Sequence, residues 1–465
     1  MDEKTESGRE RPSMKRVVII GAGIAGLATA YRLLDKKNIH VCLLERSSEV
    51  GGLSRSISKN GFIYDLGPHQ IHTQNRTVID FLKKVLGNEL LTREKKASQR
   101  FLKRYFKYPL ELKEVVTGLP LNLSIGCFLS FCKQRIVMRF KQPRGDSFES
   151  WIVNHFGKKM YDIYFGPYTE KVWGVPPSKL AAFCAEQRVA VQSLLLVLLS
   201  TIFKNIKSFR KNVLLPHSPY QMIYYYPRKG IGELAEVMKK GILSKGGELH
   251  FNRHVVGIQK EKGTFQIETA NGSRLAADSV VSTMPVDELQ DMLIDENEKR
   301  NLPKGRLDYR SLLFLYFELD IDRLTDNHWI YFADRDCVFQ RTSEFKNFST
   351  DTCPVGKTGI CIEIPCNYGD PMWNMGEEDL YRWVIAAAEA ENFIKREWVV
   401  GYFVERERYA YPLFKLNYET ELKKVMDRVN ACENLFSIGR QGTFQYINID
   451  DVLLMGFEAA DKISG

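Results

Sequence analysis

The chain has 465 residues, of which 44% are hydrophobic and 26% charged, a balance typical of a globular protein. Its 66 Lys and Arg residues and 57 Asp and Glu residues give a net charge of +9 without a long block of one sign, which argues against a nucleic-acid partner. The nine cysteines include no CxxC pair, so we expect reduced thiols, a cytoplasmic location and no metal site.

The first predicted elements form a dinucleotide-binding βαβ unit. Residues 16–20 read as a buried β-branched strand, and Gly21, Gly23 and Gly26 then form a GxGxxG turn that opens a helix over residues 25–34. The first glycine permits the tight turn, the second lets a pyrophosphate approach the backbone, and the third lets helix and strand pack closely. The free N–H groups at the start of the helix favour phosphate.

A second strand, residues 41–44, ends at Glu45. This carboxylate lies where an acid would bind both ribose hydroxyls of a dinucleotide. The turn, the helix and the acid together predict a bound dinucleotide.

A second glycine motif follows at residues 51–55, GGLSR. It resembles the motif of the flavoprotein superfamily that contains amine oxidases, protoporphyrinogen oxidase and UDP-galactopyranose mutase. The resemblance implies FAD rather than NAD, with Arg55 placing its charge near the pyrophosphate or the flavin.

The resemblance also implies a fold. We expect an α/β protein with a discontinuous Rossmann-like FAD-binding domain (residues 1–75, 225–300 and 401–465) and a mixed α+β substrate domain (residues 76–224 and 301–400). Residues 248–260 and 265–269 are predicted to pair as strands, and residues 448–460 to form a helix whose N-terminus points at the flavin.

Four further stretches resemble UDP-galactopyranose mutases more specifically. They are residues 67–73 (GPHQIHT), residues 168–174 (YTEKVWG), the pattern of Arg341, Glu344 and Phe345, and residues 439–446 (GRQGTFQY). Residues 448–450 and 409–412 fit a neighbouring, protoporphyrinogen-oxidase-like branch better. The residues expected to contact FAD are Gly21, Gly23, Ile24, Ala25, Gly26, Glu45, Arg46, Gly52, Leu53, Arg55, Gly67, Pro68, His69, Val256, Gly439, Arg440, Asn448, Asp450 and Val452.

One departure from the mutases concerns the substrate diphosphate, which they hold with two arginines. Arg188 can stand for the first, but Glu363 lies about where the second is expected. A carboxylate at that position would repel a diphosphate, although Arg406 or Arg408 could compensate.

The candidate catalytic residues are His69, Arg188, Tyr168 and Trp173. His69 would contact the flavin near N5, where its ordinary pKa of about 6.5 suits proton transfer. Tyr168 and Trp173 would stack on a base or sugar, and Arg188 and Lys171 would face phosphate. Tyr409 and Tyr411 could line the same pocket, whereas His72 is better read as structural.

These residues leave several functions open. The leading hypothesis is an FAD-dependent oxidoreductase that transfers a hydride to flavin N5, in glycan or lipid-linked sugar metabolism. The alternatives are a mutase-like isomerase that uses reduced flavin without net redox, a protoporphyrinogen or amine oxidase, and a non-catalytic FAD-binding protein.

The partner is expected to be a small molecule, such as a nucleotide sugar or a lipid-linked sugar. The apolar stretch at residues 189–206, followed by Lys207, Arg210 and Lys211, is open to two interpretations. It is either a buried helix or a surface helix in peripheral contact with a membrane.

Overall fold

The computed structural model describes residues 14–108, 118–140, 145–188, 223–294 and 302–465, and the strands lie in the first, fourth and fifth of these ranges. In these ranges the strands are β1 (Lys15–Ile20), β2 (Ile39–Leu44), β3 (Ser56–Lys59), β4 (Phe62–Asp65), β5 (Leu90–Glu94), β6 (Ala97–Phe101), β7 (Arg104–Lys107), β8 (Ile223–Pro227), β9 (Glu248–His250), β10 (Val255–Glu261), β11 (Thr264–Thr269), β12 (Arg274–Ala277), β13 (Ser279–Ser282), β14 (Leu293–Ile294), β15 (Tyr309–Leu319), β16 (Trp329–Phe332), β17 (Arg341–Glu344), β18 (Thr358–Cys366), β19 (Val399–Pro412) and β20 (Leu435–Ser437).

The helices alternate with the strands at both ends of the chain. Within the described ranges they are α1 (Ile24–Leu33), α2 (Arg76–Leu86), α3 (Leu121–Phe140), α4 (Phe148–Phe156), α5 (Lys158–Met160), α6 (Gly166–Trp173), α7 (Phe183–Arg188), α8 (Gly232–Ser244), α9 (Val286–Met292), α10 (Glu377–Ala390), α11 (Tyr418–Asn430), α12 (Gly439–Gly442) and α13 (Ile449–Ser464). A π-helical segment, Tyr161–Phe165, joins α5 to α6.

The first sheet is parallel throughout and has the strand order β20-β13-β1-β2-β9. Its strands are buried on both faces, which explains why β1 and β2 read as continuous apolar runs. Their carboxyl ends meet at one edge, where Gly21 and Glu45 follow directly. Open parallel sheets bind ligands at such an edge, so the fold puts the predicted dinucleotide site there.

Helices α1 and α13 cross on one face of this sheet at close range. A Cβ added to Gly456 would lie 2.7 Å from the Cβ of Ala28 and 2.8 Å from the carbonyl oxygen of Ala25. The last helix of the chain therefore rests directly on the first.

A small sheet, β12-β11-β10-β14, packs on the opposite face. The prediction that residues 248–260 form one strand is wrong. Asn252 adopts a positive φ of 55°, which interrupts the extended backbone, so β9 joins the parallel sheet through β2 and only β10 pairs with β11.

The largest sheet has seven strands in the order β19-β15-β18-β17-β16-β6-β7. Strand β19 pairs with β15 over almost its whole length, so this sheet extends into residues 401–412, across one predicted domain boundary. The mixed α/β architecture predicted from the sequence is confirmed. Its division into two discontinuous domains stays a prediction.

Candidate functional site

The first glycine turn has the geometry that a phosphate-binding turn requires. Gly21 has a φ of 97°, and a Cβ added to Gly26 would lie 2.1 Å from the Gly21 carbonyl oxygen. A Cβ on Gly23 would meet only the Gly51 carbonyl oxygen, at 3.9 Å. Gly23 caps α1 without a side-chain hydrogen bond, so the N–H groups of the first turn are not occupied by a cap. This arrangement leaves room and donors for a pyrophosphate.

Glu45 is fixed beside that turn. The side chain is 8% exposed, and Oε2 accepts from the Ala22 N–H at 2.7 Å. Oε1 accepts from the N–H and the hydroxyl of Ser47, at 2.9 and 2.8 Å. A carboxylate has about four acceptor positions, so the held group can still accept from ribose hydroxyls.

The second glycine motif touches the first. The Gly51 N–H donates to the Ala22 carbonyl at 2.9 Å, and a Cβ added to Gly52 would lie 3.3 Å from the Gly23 Cα. Both Gly51 and Gly52 have positive φ, which explains the glycine pair. The two turns thus form one surface, although the last glycine of the first turn, Gly26, and the first glycine of the second, Gly51, are 25 residues apart.

Arg55 extends from this surface towards β19. It forms ion pairs with Glu405 at 3.2 Å and Glu407 at 3.5 Å, with its side chain 21% exposed. Neither acid is predicted from the sequence as a partner of Arg55, because two alternating acids on a long strand do not indicate a partner 350 residues away.

The remaining predicted cofactor residues are distributed as follows. Ile24 and Ala25 are buried at the start of α1, Leu53 packs on the core, and Arg46 is exposed. Val256 is 45% exposed at a bulge in β10.

The C-terminal segment brings α13 to the same place. Asn448 caps α13 in a capping box with Asp451, and Gly439 has a φ of 80° where an added Cβ would lie 3.0 Å from the Ala25 Cβ. Arg440 donates to the Ile447 carbonyl through Nε and Nη2, at 3.1 and 2.6 Å.

Several polar atoms in these segments are buried without a hydrogen-bond partner. They are Nδ1 of His69, Oε1 of Gln70, Oε1 of Gln441 and Oδ1 of Asp450. Buried polar atoms in folded proteins are nearly always paired. The residues present therefore fit a bound group that is rich in hydrogen-bonding atoms, as the isoalloxazine and ribityl portions of FAD are.

His69 is held in its neutral form. Burial has the largest effect on the pKa of His69, and the charges of Arg440 and Arg341 follow; together they lower it to about 3. A hydrogen bond with the Gly67 backbone has a smaller effect in the opposite direction. The part of His69 in proton transfer stays a prediction, which a pKa this low does not favour. A neutral imidazole here can orient a ligand by hydrogen bonding, but it holds a proton poorly.

His72 is structural, as predicted. Its Nδ1 lies 3.3 Å from the Ile223 carbonyl oxygen and its ring packs edge-on against Tyr224. Burial and the charge of Lys95 lower its pKa to about 4.

Glu363 has a partner that the sequence did not reveal. It is fully buried, and its two oxygens accept from Nε and Nη2 of Arg341 at 2.6 and 2.8 Å. Gln340 donates a third hydrogen bond at 3.3 Å. Burial alone would lower the pKa of Arg341, but the charges of Glu363, Tyr411 and Tyr331 raise it well above its ordinary value. The expected repulsion of a diphosphate is therefore cancelled by Arg341.

Aromatic side chains surround Arg341. Nη2 lies 3.4 Å from the Tyr411 hydroxyl, and the guanidinium carbon is 5.7 Å from the Tyr331 ring centre. Tyr331 in turn packs edge-on against Tyr168 at 6.5 Å, and Tyr411 against Trp173 at 6.0 Å. Tyr168 and Trp173 are thus each separated from Arg341 by one tyrosine ring, and Trp173 is 2% exposed. Arg341 itself was not among the catalytic residues predicted from the sequence.

Three other predicted basic residues have different roles. Lys171 donates to four backbone carbonyls, of Phe332, Asp334, Cys337 and Phe339, so it ties the chain together rather than facing phosphate. Arg406 donates to the carbonyls of Trp373 and Met375. Arg188 ends α7, and its side chain lies outside the described residues.

Tyr409 is bonded elsewhere. Its hydroxyl donates to Glu288, and the guanidinium of Arg408 lies 4.7 Å from its ring centre. Neither Tyr409 nor Arg408 belongs to the group around Arg341.

Among the described residues, one group could hold a metal ion, and it lies on the parallel sheet. Ligand atoms of Cys42, Glu248 and His250 lie within 4.8 Å of one another. Glu248 already pairs with His250 at 3.1 Å and with His40 at 2.9 Å, which accounts for the cluster as an ion-pair network.

The helices in the described ranges are all too short or too polar to cross a bilayer. The apolar stretch predicted at 189–206 lies outside the described residues.

Comparison with known proteins identifies the family of the chain. The family described as flavin containing amine oxidoreductase matches residues 24–322. A probable UDP-galactopyranose mutase of Klebsiella pneumoniae is 28% identical over 36% of this chain and 43% of its own length. The mitochondrial protoporphyrinogen oxidase of Nicotiana tabacum is 31% identical over 36% of this chain and 34% of its own length. The matched segments thus cover less than half of these two relatives.

Two likenesses extend over the whole chain. The UDP-galactopyranose mutase of Mycoplasma genitalium is 21% identical over 96% of this chain and 94% of its own length. A crystal structure of reduced UDP-galactopyranose mutase superposes with a TM-score of 0.81 at 24% identity, covering 97% of this chain and 95% of the other. At this identity the superposition establishes the fold. The family match covers well over half of the sequence, and the resemblance inferred from the glycine motifs is confirmed: the chain is an FAD-dependent enzyme that belongs to the flavin-containing amine oxidoreductase family.

Proposed function

We propose that the protein is an FAD-dependent oxidoreductase that transfers a hydride from a carbon of a small anionic substrate to flavin N5, with nucleotide or lipid-linked sugars as the substrate class. Bound FAD supplies a two-electron acceptor. The hydride leaves with both electrons of the substrate C–H bond, and the proton of the neighbouring hydroxyl or amine passes to solvent.

The observation that carries the substrate class is the setting of Arg341. Its guanidinium is held by two charge-assisted hydrogen bonds to Glu363 and lies among Tyr331, Tyr411 and the rings that pack on them. Glu363 occupies the Nε and Nη2 donors of this guanidinium, so Nη1 is the nitrogen left to donate to a phosphate or carboxylate, and aromatic faces bind bases and sugars. An anionic substrate with a flat or cyclic portion satisfies both features.

His69 would orient the substrate or the flavin rather than store a proton. Its Nδ1 is buried without a partner, and its pKa of about 3 keeps the ring neutral at physiological pH. We therefore assign it a hydrogen-bonding role, and Tyr168 and Trp173 the role of walls.

A mutase-like isomerase is the second candidate. The ion pair between Arg341 and Glu363 favours it, because the pair removes the charge that would have repelled a diphosphate. The full-length likeness to the Mycoplasma genitalium mutase agrees with this alternative.

The two functions are separated by the redox state in which turnover occurs. The purified holoenzyme is incubated with nucleotide sugars, with its flavin first oxidised and then reduced by dithionite, in the presence and absence of an electron acceptor. Bleaching of oxidised flavin in proportion to added substrate supports the oxidoreductase. Turnover by reduced flavin alone, with no acceptor consumed, supports the isomerase and contradicts our leading proposal.

A variant tests the role of Arg341. Arg341→Lys keeps the charge but loses the fork, so we expect the KM for an anionic substrate to rise on the order of tenfold or more. Arg335→Lys is the matched control, because the Arg335 side chain is 80% exposed and its nearest acid, Glu170, is 3.9 Å away. Equal KM values for the two variants would contradict the assignment.

A further inference from the structure

Helix α3 exposes an apolar face. Six of its side chains are 50–81% exposed: Leu121, Ile125, Phe128, Leu129, Ile136 and Phe140. At about 100° per residue they fall within a stripe roughly 120° wide along the whole helix. Isolated exposed apolar residues are ordinary, but six on one side of a single helix mark a binding surface. Arg139 is the one charged residue within this stripe, and it lies near the C-terminal end of the helix.

The inward face of the same helix mixes apolar and polar side chains. Only Phe131 is fully buried. The Ser130 hydroxyl accepts from the Lys159 N–H at 3.0 Å, and Gln134 donates to Asn154 at 2.9 Å. A helix that serves only to cover a core would place its apolar stripe inward. In α3 the contacts with the protein come from Phe131 and Cys127 as well as from Ser130 and Gln134, and a second set of apolar side chains points away.

The charge of α3 is of one sign. The helix contains Lys133, Arg135 and Arg139, all exposed, and no Asp or Glu. On the helical projection Lys133 and Arg135 flank the stripe on opposite sides, where long basic side chains can reach the headgroups of a bilayer while the stripe enters its apolar region.

We propose that α3 docks the protein on a membrane surface that contains anionic lipid, lying in the plane of the interface. A second copy of the chain is a poorer occupant, because two basic faces would repel each other. The helix lies on the surface rather than across it, since α3, although 20 residues long, is not apolar enough to span.

Docking in this way would orient the proposed substrate site. Cys127, on the body side of α3, packs on a cluster that includes Tyr164 and Tyr168. The bilayer would therefore lie on the same side of the molecule as Tyr168. The docking proposal itself does not depend on the substrate or on the reaction.

The test uses the full-length holoenzyme and vesicle flotation. Vesicles of phosphatidylcholine alone are compared with vesicles that also contain phosphatidylglycerol. We expect binding to the anionic vesicles, and weaker binding to the neutral ones and at high salt.

Two variants of α3 separate the apolar and the electrostatic contributions. Substituting Lys133, Arg135 and Arg139 together by Gln should weaken binding on the order of 100-fold, at about fivefold per basic residue. Substituting Phe128 and Leu129 by Ser should weaken it at least about tenfold.

The control carries the same kind of change on another surface. Val355 and Val400 are 101% and 53% exposed, and substituting both by Ser should leave vesicle binding unchanged. The flavin absorbance of each variant verifies that it is folded. The proposal is overturned if the wild-type protein ignores both kinds of vesicle, if the α3 variants bind like the control, or if α3 instead mediates a concentration-dependent dimer that the substitutions abolish.

Discussion

Replacing Glu363 by Gln tests the buried ion pair from which the proposed substrate class is argued. The substitution keeps the shape of the side chain but removes its charge, so Arg341, whose side chain is 16% exposed, loses its counter-ion. Breaking a buried pair from one side costs about 3–5 kcal/mol. A Gln oxygen can still accept one of the two hydrogen bonds, and a hydrogen bond to a charged group is worth about 1.5–3 kcal/mol. We therefore expect the free energy of unfolding to fall by about 1–3 kcal/mol.

The assay is urea unfolding, followed by far-ultraviolet circular dichroism and by the fluorescence of the released flavin. The matched control is Glu378→Gln. Glu378 pairs with Arg382 one helical turn away, and both side chains are more than 60% exposed. An exposed pair of this kind contributes about 0.3–0.5 kcal/mol.

The reasoning is refuted if Glu363→Gln destabilises the protein no more than Glu378→Gln. A second variant tests the same idea from the other side. Replacing Arg341 and Glu363 together by Met and Leu removes both charges, and substitution of a whole buried pair by apolar residues is often close to neutral. The double variant should therefore be more stable than Glu363→Gln, even though it should lose activity.

The other predictions concern the cofactor, acid stability and a structural lysine. Gly26→Ala should purify with little or no flavin absorbance, because its Cβ would lie 2.1 Å from a backbone oxygen, whereas Gly376→Ala, with only a side-chain oxygen at 3.8 Å, should keep its flavin. The pKa of His72 is about 4 in the folded protein and has its ordinary value of 6.5 in the unfolded chain. Between pH 4 and 6.5 the unfolded chain therefore binds more protons at this residue than the folded protein does. Unfolding free energy should accordingly fall as the pH is lowered from 6.5 to about 4, and less steeply in His72→Asn; equal slopes would contradict this. Lys171→Met should lower the unfolding free energy by about 2–4 kcal/mol, because backbone carbonyls that Lys171 now satisfies would be left buried; a change below about 0.5 kcal/mol would count against that role.

The local parts of the site are predictable from sequence because their causes are local. A glycine with positive φ or a forbidden Cβ can be inferred from its place in GxGxxG, and Glu45 from its place after a buried strand. The first glycine turn and Glu45 have the local geometry expected of them. The assignment of individual residues to FAD contacts remains a prediction.

The ion pairs could not be predicted in the same way. Arg341 and Glu363 meet across the antiparallel pair β17–β18, where they lie directly opposite each other. Knowing that they pair requires the register of two strands, which an apolar run such as residues 358–366 does not specify. From the sequence alone, which does not reveal the ion pair with Arg341, Glu363→Arg is expected to add a phosphate-binding residue. Because the site is fully buried next to a guanidinium, we expect that substitution to prevent folding.

The extent and the partner of the strand at residues 248–250 are predicted wrongly for a related reason. Strand propensity alone does not say which partner a short strand will choose, and the break at Asn252 is a single residue in the left-handed region. Asn is enriched in that conformation, so the residue was a usable signal.

The contact between α1 and α13 has a consequence for biosynthesis. Because α1 precedes α13 in the sequence, the face of α1 that Gly456 covers leaves the ribosome before its cover does. Until α13 is made, the nascent protein exposes an apolar face of α1 that chaperones can bind. The phosphate-binding turn at the start of α1 also lacks the segment that packs beside it. Ribosome-stalled chains that stop before Ile449 should therefore fail to capture FAD, so that flavin incorporation follows synthesis instead of guiding it.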